Sequence, residues 1–513
     1  MEELSSSRKI IRNSIANYGG FFFQVAIAFF LSPFLVHSLG DTQYGIWSIV
    51  AAFSGYMSLF DLGISSSLTR YVSKYNKTGE TDKNNSVISS ALGLYVIIAV
   101  LIIIVSPISA KILTKLIKFD PSLNDTVNFL VIIVSFDVAF FLVAGTFRGV
   151  FQGLQQYDII NTILIISGAI KALLFYYFLS RGYGLLTMGL ISFLEKAITI
   201  IIFFYILTKR YHLNINVKRI TKTGVSCILG YSIFTFINMI ANQLIYYTDS
   251  FVIGYFMDAA AVTYYSIAWS LIEYVKRFCT SFTRVFVPVI SEYEALGDYT
   301  KIKNILVSGA KFTLIVSCLF SLGLIIFGKA FINLWMGSEY GLVCGPVLII
   351  LVFSQFIELP QLISRAVLFG ISKHKYMSFI SITTAVVNLL LSILLISKFG
   401  IIGVALGTTI PQVFIYGLFM MIITNRIVSI PNITYIKEVY FPIIVPTIMF
   451  IMTGMLCLKL LYPANYFVLL CECFFCSLVF LIFSYQFSLN SDEKREVIRI
   501  VNGMLNRIQM VRF

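Results

Sequence analysis

Charge is the first thing this chain lacks. Only 12% of its 513 residues are charged, where a soluble protein of ordinary composition carries about a quarter. It has three histidines, His37, His212 and His374, all in connecting segments and without metal-ligand spacing. A Gly-x-x-x-x-Gly-Lys-Ser/Thr phosphate loop is absent, and so is a Gly-x-Ser-x-Gly nucleophile elbow. These absences exclude a P-loop pump and an ordinary serine hydrolase, so no enzyme, metal or cofactor is expected. The eight cysteines are scattered. Cys471, Cys473 and Cys476 share the last apolar run without histidines or a second pair, and read as lipid-facing or packed small side chains. No ten-residue alternation announces a barrel. On the side read below as outer, no connection exceeds about 20 residues, which leaves no room for an outer catalytic domain.

What the chain has is apolar length. It is 58% hydrophobic, and about fourteen runs are long enough to cross a bilayer, each near the roughly 20 residues that a spanning helix needs. They lie near 14–36, 44–64, 86–106, 127–147, 159–179, 185–207, 228–248, 261–283, 305–327, 346–366, 379–397, 401–424, 440–461 and 467–487. The expected fold is therefore an all-α polytopic membrane protein with about 14 transmembrane helices. With the N-terminus inside, the segments read as inner hold 26 of the 38 lysines and arginines and the outer connections hold 6. That asymmetry places both termini in the cytoplasm. The net charge of +14 thus reflects basic loops on an anionic leaflet and not a nucleic-acid partner. Arg8, Lys9 and Arg12 precede a long first run with no small-residue cleavage site, so a retained helix is expected there and not a signal peptide.

The second half partly repeats the first. Arg148-Gly-Val-Phe-Gln-Gly153 matches Arg365-Ala-Val-Leu-Phe-Gly370 in its interval from arginine to glycine. Gly79-Glu80 before Lys83 matches Gly297-Asp298 before Lys301, and the Gly184 region matches Gly400. The expected domains are an N-lobe over 1–215 (spans 1–6), a C-lobe over 216–436 (spans 7–12), appended spans 13–14 over 437–490, and a cytoplasmic amphipathic tail over 491–513. In the tail Val497, Val501, Met504, Ile508 and Val511 fall at helical spacing. A bundle of two related lobes is usually a transporter, one lobe rocking against the other around a central site.

Ionisable residues inside spans are costly, roughly 3 kcal/mol for one central charge, and mark candidate sites. Lys171, Lys196 and Arg277, with Arg148 and Arg365, form a candidate cationic site. Lysine offers a point charge and arginine a two-pronged fork to phosphate oxygens. Arg148 and Arg365 begin inner loops and read equally well as topology anchors; Glu273 and Arg277, one helical turn apart, read equally well as a neutralising pair. Asp137, Asp249, Glu358 and Asp61 are candidates for taking up protons or sodium, with counter-ions to the lysines as the equal alternative. Asp61, Lys311 and Lys459 are expected near helix ends, reaching to the interface. Gly403 and Gly407 have the spacing that lets another helix pack closely.

Several motifs together resemble a known family. These are Ser32-Pro-Phe-Leu-Val-His-Ser-Leu-Gly40, Tyr44-Gly-Ile-Trp47, Asp61-Leu-Gly-Ile-Ser65 and Arg70-Tyr-Val-Ser73. The second half adds Asp249-Ser-Phe-Val-Ile-Gly254, Tyr264-Tyr265, Pro288-Val-Ile-Ser291 and Gly400-Ile-Ile-Gly-Val-Ala-Leu-Gly407. The chain resembles the bacterial polysaccharide exporters and O-antigen flippases of the multidrug/oligosaccharidyl-lipid/polysaccharide exporter superfamily. The resemblance implies a V-shaped pair of six-helix lobes like that of multidrug and toxin extrusion (MATE) transporters, working by alternating access in the bacterial cytoplasmic membrane. It implies export of undecaprenyl-diphosphate-linked oligosaccharide for O-antigen or capsule biosynthesis, with a polysaccharide polymerase and a chain-length regulator as partners and membrane lipids around it. In such flippases a cationic cavity holds the diphosphate and sugars. A multidrug/cation antiporter of the same fold is the alternative; a glycan polymerase or ligase would need the large outer loop that is missing.

Overall fold

The structure, a computed structural model, describes residues 2–211, 216–283 and 285–499. Every regular element among them is helical. The chain divides into two compact units, Met1–Ser266 and Ile267–Phe513, a division that falls later than the 215/216 boundary read from the sequence.

The first unit contains α1 (Glu2–Leu39), α2 (Asp41–Met57), α3 (Ile64–Thr78), α4 (Thr81–Leu116), α5 (Asn124–Gly153), α6 (Tyr157–Leu179), α7 (Leu185–Tyr211), α8 (Lys222–Phe256) and the start of α9 (Ala259–Thr283). The second takes the rest of α9, then α10 (Phe286–Ala295), α11 (Tyr299–Trp335), α12 (Ser338–Glu358), α13 (Gln361–Gly370), α14 (His374–Phe399) and α15 (Ile401–Pro411). A π-helical stretch, Gln412–Phe419, leads into α16 (Met420–Val428), α17 (Asn432–Val439), α18 (Ile444–Leu460) and α19 (Tyr466–Phe483), and a further helix begins at 491.

Eleven of the described helical spans are long and apolar enough to cross a membrane, or twelve when the bent pair Asp41–Asp61 and Ile64–Thr78 counts as one. The other two of the fourteen expected spans coincide with α8 and α9, the second of which carries Glu273, Lys276 and Arg277. Helix α4 shows why this is a membrane protein. Ile97, Leu101, Ile104 and Ile108 form one stripe and are each more than half exposed, a surface that water would not tolerate but lipid requires. Its opposite face buries Ile88, Ala91, Tyr95 and Ile102.

The structure differs from the sequence reading at several element boundaries. Two of the connections left between the expected spans, 65–85 and 284–304, hold helices, α3 and α10. The expected span 346–366 is broken between α12 and α13 at Leu359-Pro360, because proline ends the hydrogen-bond ladder. Arg148 lies five residues before the end of α5 and Arg365 five before the end of α13, so neither begins a loop. The amphipathic tail lies outside the described residues from 500 onward, as do His212 and the segment 212–215.

The internal repeat is structural. Helix α5 ends at Gly153 and α13 at Gly370, and two residues on, Gln155 (φ 56°) and Ser372 (φ 58°) both take the left-handed conformation. In each turn the next N–H reaches back to a carbonyl at 2.8 Å, Gln156 to Phe151 and Lys373 to Leu368, the closing bond of a Schellman cap. Gly79 (φ 73°) and Gly297 (φ 69°) make a second matched pair. The helices facing these caps match too. A Cβ on Gly153 would meet Val72 of α3 at 2.8 Å, and one on Gly370 would meet Ile290 of α10 at 2.5 Å.

Helices α18 and α19 pack on the second unit, where Phe450 and Phe480 join Ile302, Leu306 and Val367 in one buried cluster. The two rings meet edge to face at 5.9 Å, a favourable quadrupole geometry. As the glycine spacing predicts, α15 lies close on α14: a Cβ at Gly403 would stand 2.3 Å from the Leu395 carbonyl and one at Gly407 2.5 Å from Ser392.

Candidate functional site

Three helices of the first unit bring charges together. Asp137 lies midway along α5, Lys171 on α6, and Glu195 and Lys196 on α7. Glu195 is the centre. Its side chain is only 8% exposed, and one carboxylate oxygen is paired with Lys196 and lies 3.8 Å from Lys171. The other oxygen lies 3.5 Å from the Thr199 hydroxyl. The two lysine side chains remain 33% and 21% exposed. Asp137 is in electrostatic range of both lysines, and its buried Oδ1 has no hydrogen-bond partner among the described residues. Two bases thus face two acids, with the lysine heads partly open. Glu195 is not among the site residues read from the sequence; its position as shared counter-ion comes from the rotation of α7 against α6.

Arg148 belongs to a different cluster. Asp61 marks a break in a membrane-crossing segment, where Leu62 (φ 52°) and Gly63 (φ 79°) turn left-handed and the flanking pieces bend by 45°. The Asp61 carboxylate accepts the Ser65 N–H of the following helix at 3.2 Å, the usual way a helix start is stabilised. Arg148 and the fully buried Tyr95 lie in range of that carboxylate, with the Tyr95 hydroxyl short of a well-formed hydrogen bond. The Arg148 guanidinium sits 4.6 Å from the Phe141 ring centroid. Discontinuous helices recur at the substrate and ion sites of transporters. In the same unit Asp249, 2% exposed, accepts a hydrogen bond from the Tyr265 hydroxyl.

The second unit holds its own pair. Lys276 on α9 is ion-paired with Glu358 at the end of α12, with side-chain exposures of 12% and 2%. Gln355 donates to Glu358 at 3.4 Å and to Ser354 at 2.9 Å, and Ser354 donates to Gln412 at 2.9 Å. Gln412 opens the π-helical stretch just after Pro411, and such irregular turns recur at functional sites. Arg277 is ion-paired with Glu273 one turn away at 2.7 Å. Arg365 lies 5.8 Å from the Phe369 ring centroid. The structure therefore gathers Lys171, Lys196 and Asp137 in one cluster, Arg148 with Asp61 in a second, and Glu358 with Lys276 in a third. Lys311, expected to reach the interface, is instead 5% exposed and ion-paired with Glu493, because a partner from the C-terminal helix meets it inside.

Comparison with known proteins places this geometry. The family profile described as "Polysaccharide biosynthesis protein" matches residues 10–294, and one described as "MatE" matches 235–394. A putative O-antigen transporter of Shigella flexneri is 21% identical over 429 residues, which cover 82% of this chain and 99% of that protein. A probable low-salt glycan biosynthesis flippase, Agl15 of Haloferax volcanii, is 21% identical over 412 residues, covering 78% and 80%. Among solved structures, the lipid II flippase MurJ in an inward closed conformation superposes with a TM-score of 0.75 at 18% identity, covering 95% of this chain and 100% of that one. An inward-facing MATE family multidrug transporter gives 0.71 at 12%, covering 80% and 94%. These likenesses share the all-helical, multi-span fold described above. The chain belongs to the polysaccharide biosynthesis protein family of the multidrug/oligosaccharidyl-lipid/polysaccharide exporter superfamily.

Proposed function

We propose that this protein is a flippase carrying undecaprenyl-diphosphate-linked oligosaccharide repeat units from the inner to the outer leaflet of a bacterial cytoplasmic membrane, for O-antigen or capsule biosynthesis. The repeat divides it into lobes over 1–215 and 216–436, with 437–490 appended and both termini cytoplasmic. The carrying observation is the Lys171–Glu195–Lys196 cluster beside Asp137. With both acids charged the cluster is neutral. Neutralising Asp137 by a proton or a sodium ion leaves one net positive charge on two partly open lysines, ready for a diphosphate. Alternating access coupled to an ion gradient is the mechanism we propose, with Asp137 as the group that exchanges the ion. Asp61, Asp249 and Glu358 are further coupling candidates, and Arg148, Arg277 and Arg365 further anion contacts. A polysaccharide polymerase and a chain-length regulator would act on the delivered product.

The test is transport of a labelled lipid-linked glycan in proteoliposomes under an imposed gradient. Lys171→Ala with Lys196→Ala is expected to abolish flipping while the protein stays folded. Full activity in that variant rejects the assignment. The match of residues 235–394 to the MatE profile keeps a multidrug/cation antiporter as a second reading, and there the same variant would retain or improve transport of a cationic dye.

A further inference from the structure

A cleft of about 680 Å³ opens among three connections of the second unit: the start of α11, the α13–α14 turn and the α16–α17 turn. Lys303 and Lys373 line it. Among the described residues, neither lysine has a carboxylate within ion-pair distance, although the neighbouring Lys301 is paired with Asp298. Glu294 is the one acid among the lining residues, so the cleft carries a net positive charge. The hydroxyl-bearing side chains of Tyr299, Tyr376, Ser372 and Ser429 also line it. Lysine ammonium groups set among hydroxyl donors suit a phosphate group.

Two further observations point the same way. Ser372 (φ 58°) and Ser429 (φ 60°) are both left-handed, each in a helix-ending turn whose next N–H closes at 2.8 Å. Glycine is the ordinary residue there, and serine is strained in that conformation. Among the described residues, two of the four non-glycine residues with positive φ line this cleft; the one at Ser372 recurs at its twin Gln155 and belongs to the shared fold. The repeat supplies an internal comparison. Matching Gly79 to Gly297 sets Asn85 opposite Lys303, and matching Gly153 to Gly370 sets Gln156 opposite Lys373. The positive charge exists in only one of the twin positions, so it does not follow from the fold they share. Helices α11 and α14 also begin at the cleft, and their N-terminal dipoles favour an anion.

We infer that this cleft binds a phosphate group, either the headgroup of an anionic membrane lipid or a soluble phosphate or diphosphate. That the cleft opens on the cytoplasmic side rests on the orientation proposed above; binding itself does not. The full-length protein in neutral detergent is titrated in two arms, one with phosphatidylglycerol against phosphatidylcholine, the other with inorganic diphosphate. Binding is read by native mass spectrometry and by the unfolding midpoint. Selective binding in either arm is expected, weakened at least tenfold by Lys303→Gln with Lys373→Gln and kept by Lys303→Arg with Lys373→Arg. The arm that responds names the source. No binding in either arm, or equal binding by the glutamine variant, overturns the inference. Because the readout is binding and not flipping, its failure is separate from failure of the transport reading.

Discussion

Lys311 donates to both carboxylate oxygens of Glu493, at 2.9 and 3.0 Å, and both residues are less than a tenth exposed. The Ser308 hydroxyl adds a third bond to Glu493 at 2.9 Å. Glu493 and Asn490 also exchange reciprocal bonds, Glu493 N–H to Asn490 Oδ1 at 2.9 Å and Asn490 N–H to Glu493 Oε2 at 3.0 Å. That is the capping box that starts a helix. One carboxylate therefore both begins the C-terminal helix and fixes it to α11.

Breaking a buried pair by removing one partner costs about 3 kcal/mol or more. Glu493→Gln is expected to lower the unfolding midpoint in detergent markedly. Lys311→Met with Glu493→Gln together should cost less than the sum of the single changes. Simple additivity would show that the pair is not coupled.

The same carboxylate sets a pH dependence. Burial pushes the Glu493 carboxyl up, but the hydrogen bonds from Lys311, the Asn490 N–H and Ser308 outweigh it and hold the group below its ordinary value. A lowered folded value means the stabilisation is complete above the ordinary glutamate value of about 4.3 and is lost as pH falls through the lowered one. The unfolding midpoint of the wild type should drop over that acid range. Glu493→Gln should remove this component of the drop.

Asp137→Asn imposes the charge balance of a neutralised Asp137. Substrate should still bind, but transport should no longer respond to the imposed gradient. Measuring flipping with and without the gradient checks this; an unchanged gradient response would exclude Asp137 as the coupling group.

Close helix contact makes a steric prediction. Gly407→Leu must push a side chain into Ser392, whose backbone nitrogen already lies 2.6 Å from the Cβ position. Overpacking of this kind costs about 1–3 kcal/mol, and the variant should unfold earlier or fail to insert.

Ser372→Gly and Ser429→Gly should have opposite effects on stability and on binding. Relief of left-handed strain should raise stability by about 0.5–1 kcal/mol. Loss of a cleft hydroxyl should weaken phosphate binding. Thermal melts and the titration described above measure both on the same samples.

Much of the fold was legible because the bilayer forces long apolar runs, and the arginine-to-glycine interval already marked the two caps at Gln155 and Ser372. The pairings were less visible. Glu195 reaches Lys171 from a different helix, and Lys276 reaches Glu358 across the sequence from α9 to α12. Such meetings depend on how each helix is rotated about its axis, which hydropathy does not record. Lys311 was misjudged for the same reason. The helices in segments 65–85 and 284–304 were missed because their sequences are polar enough to read as loops. The break after Asp61 lies in two left-handed residues, one of them Leu62, a type with no preference for that conformation.

The wide turn Gln412–Phe419 fits surplus backbone into a membrane helix whose neighbours wind regularly. Returning it to ordinary winding would rotate everything on one side by about 100°, one residue's share of a turn. This span can therefore re-aim Gln412 relative to Met420 and the residues beyond by screwing in place, with no hinge and no change of tilt.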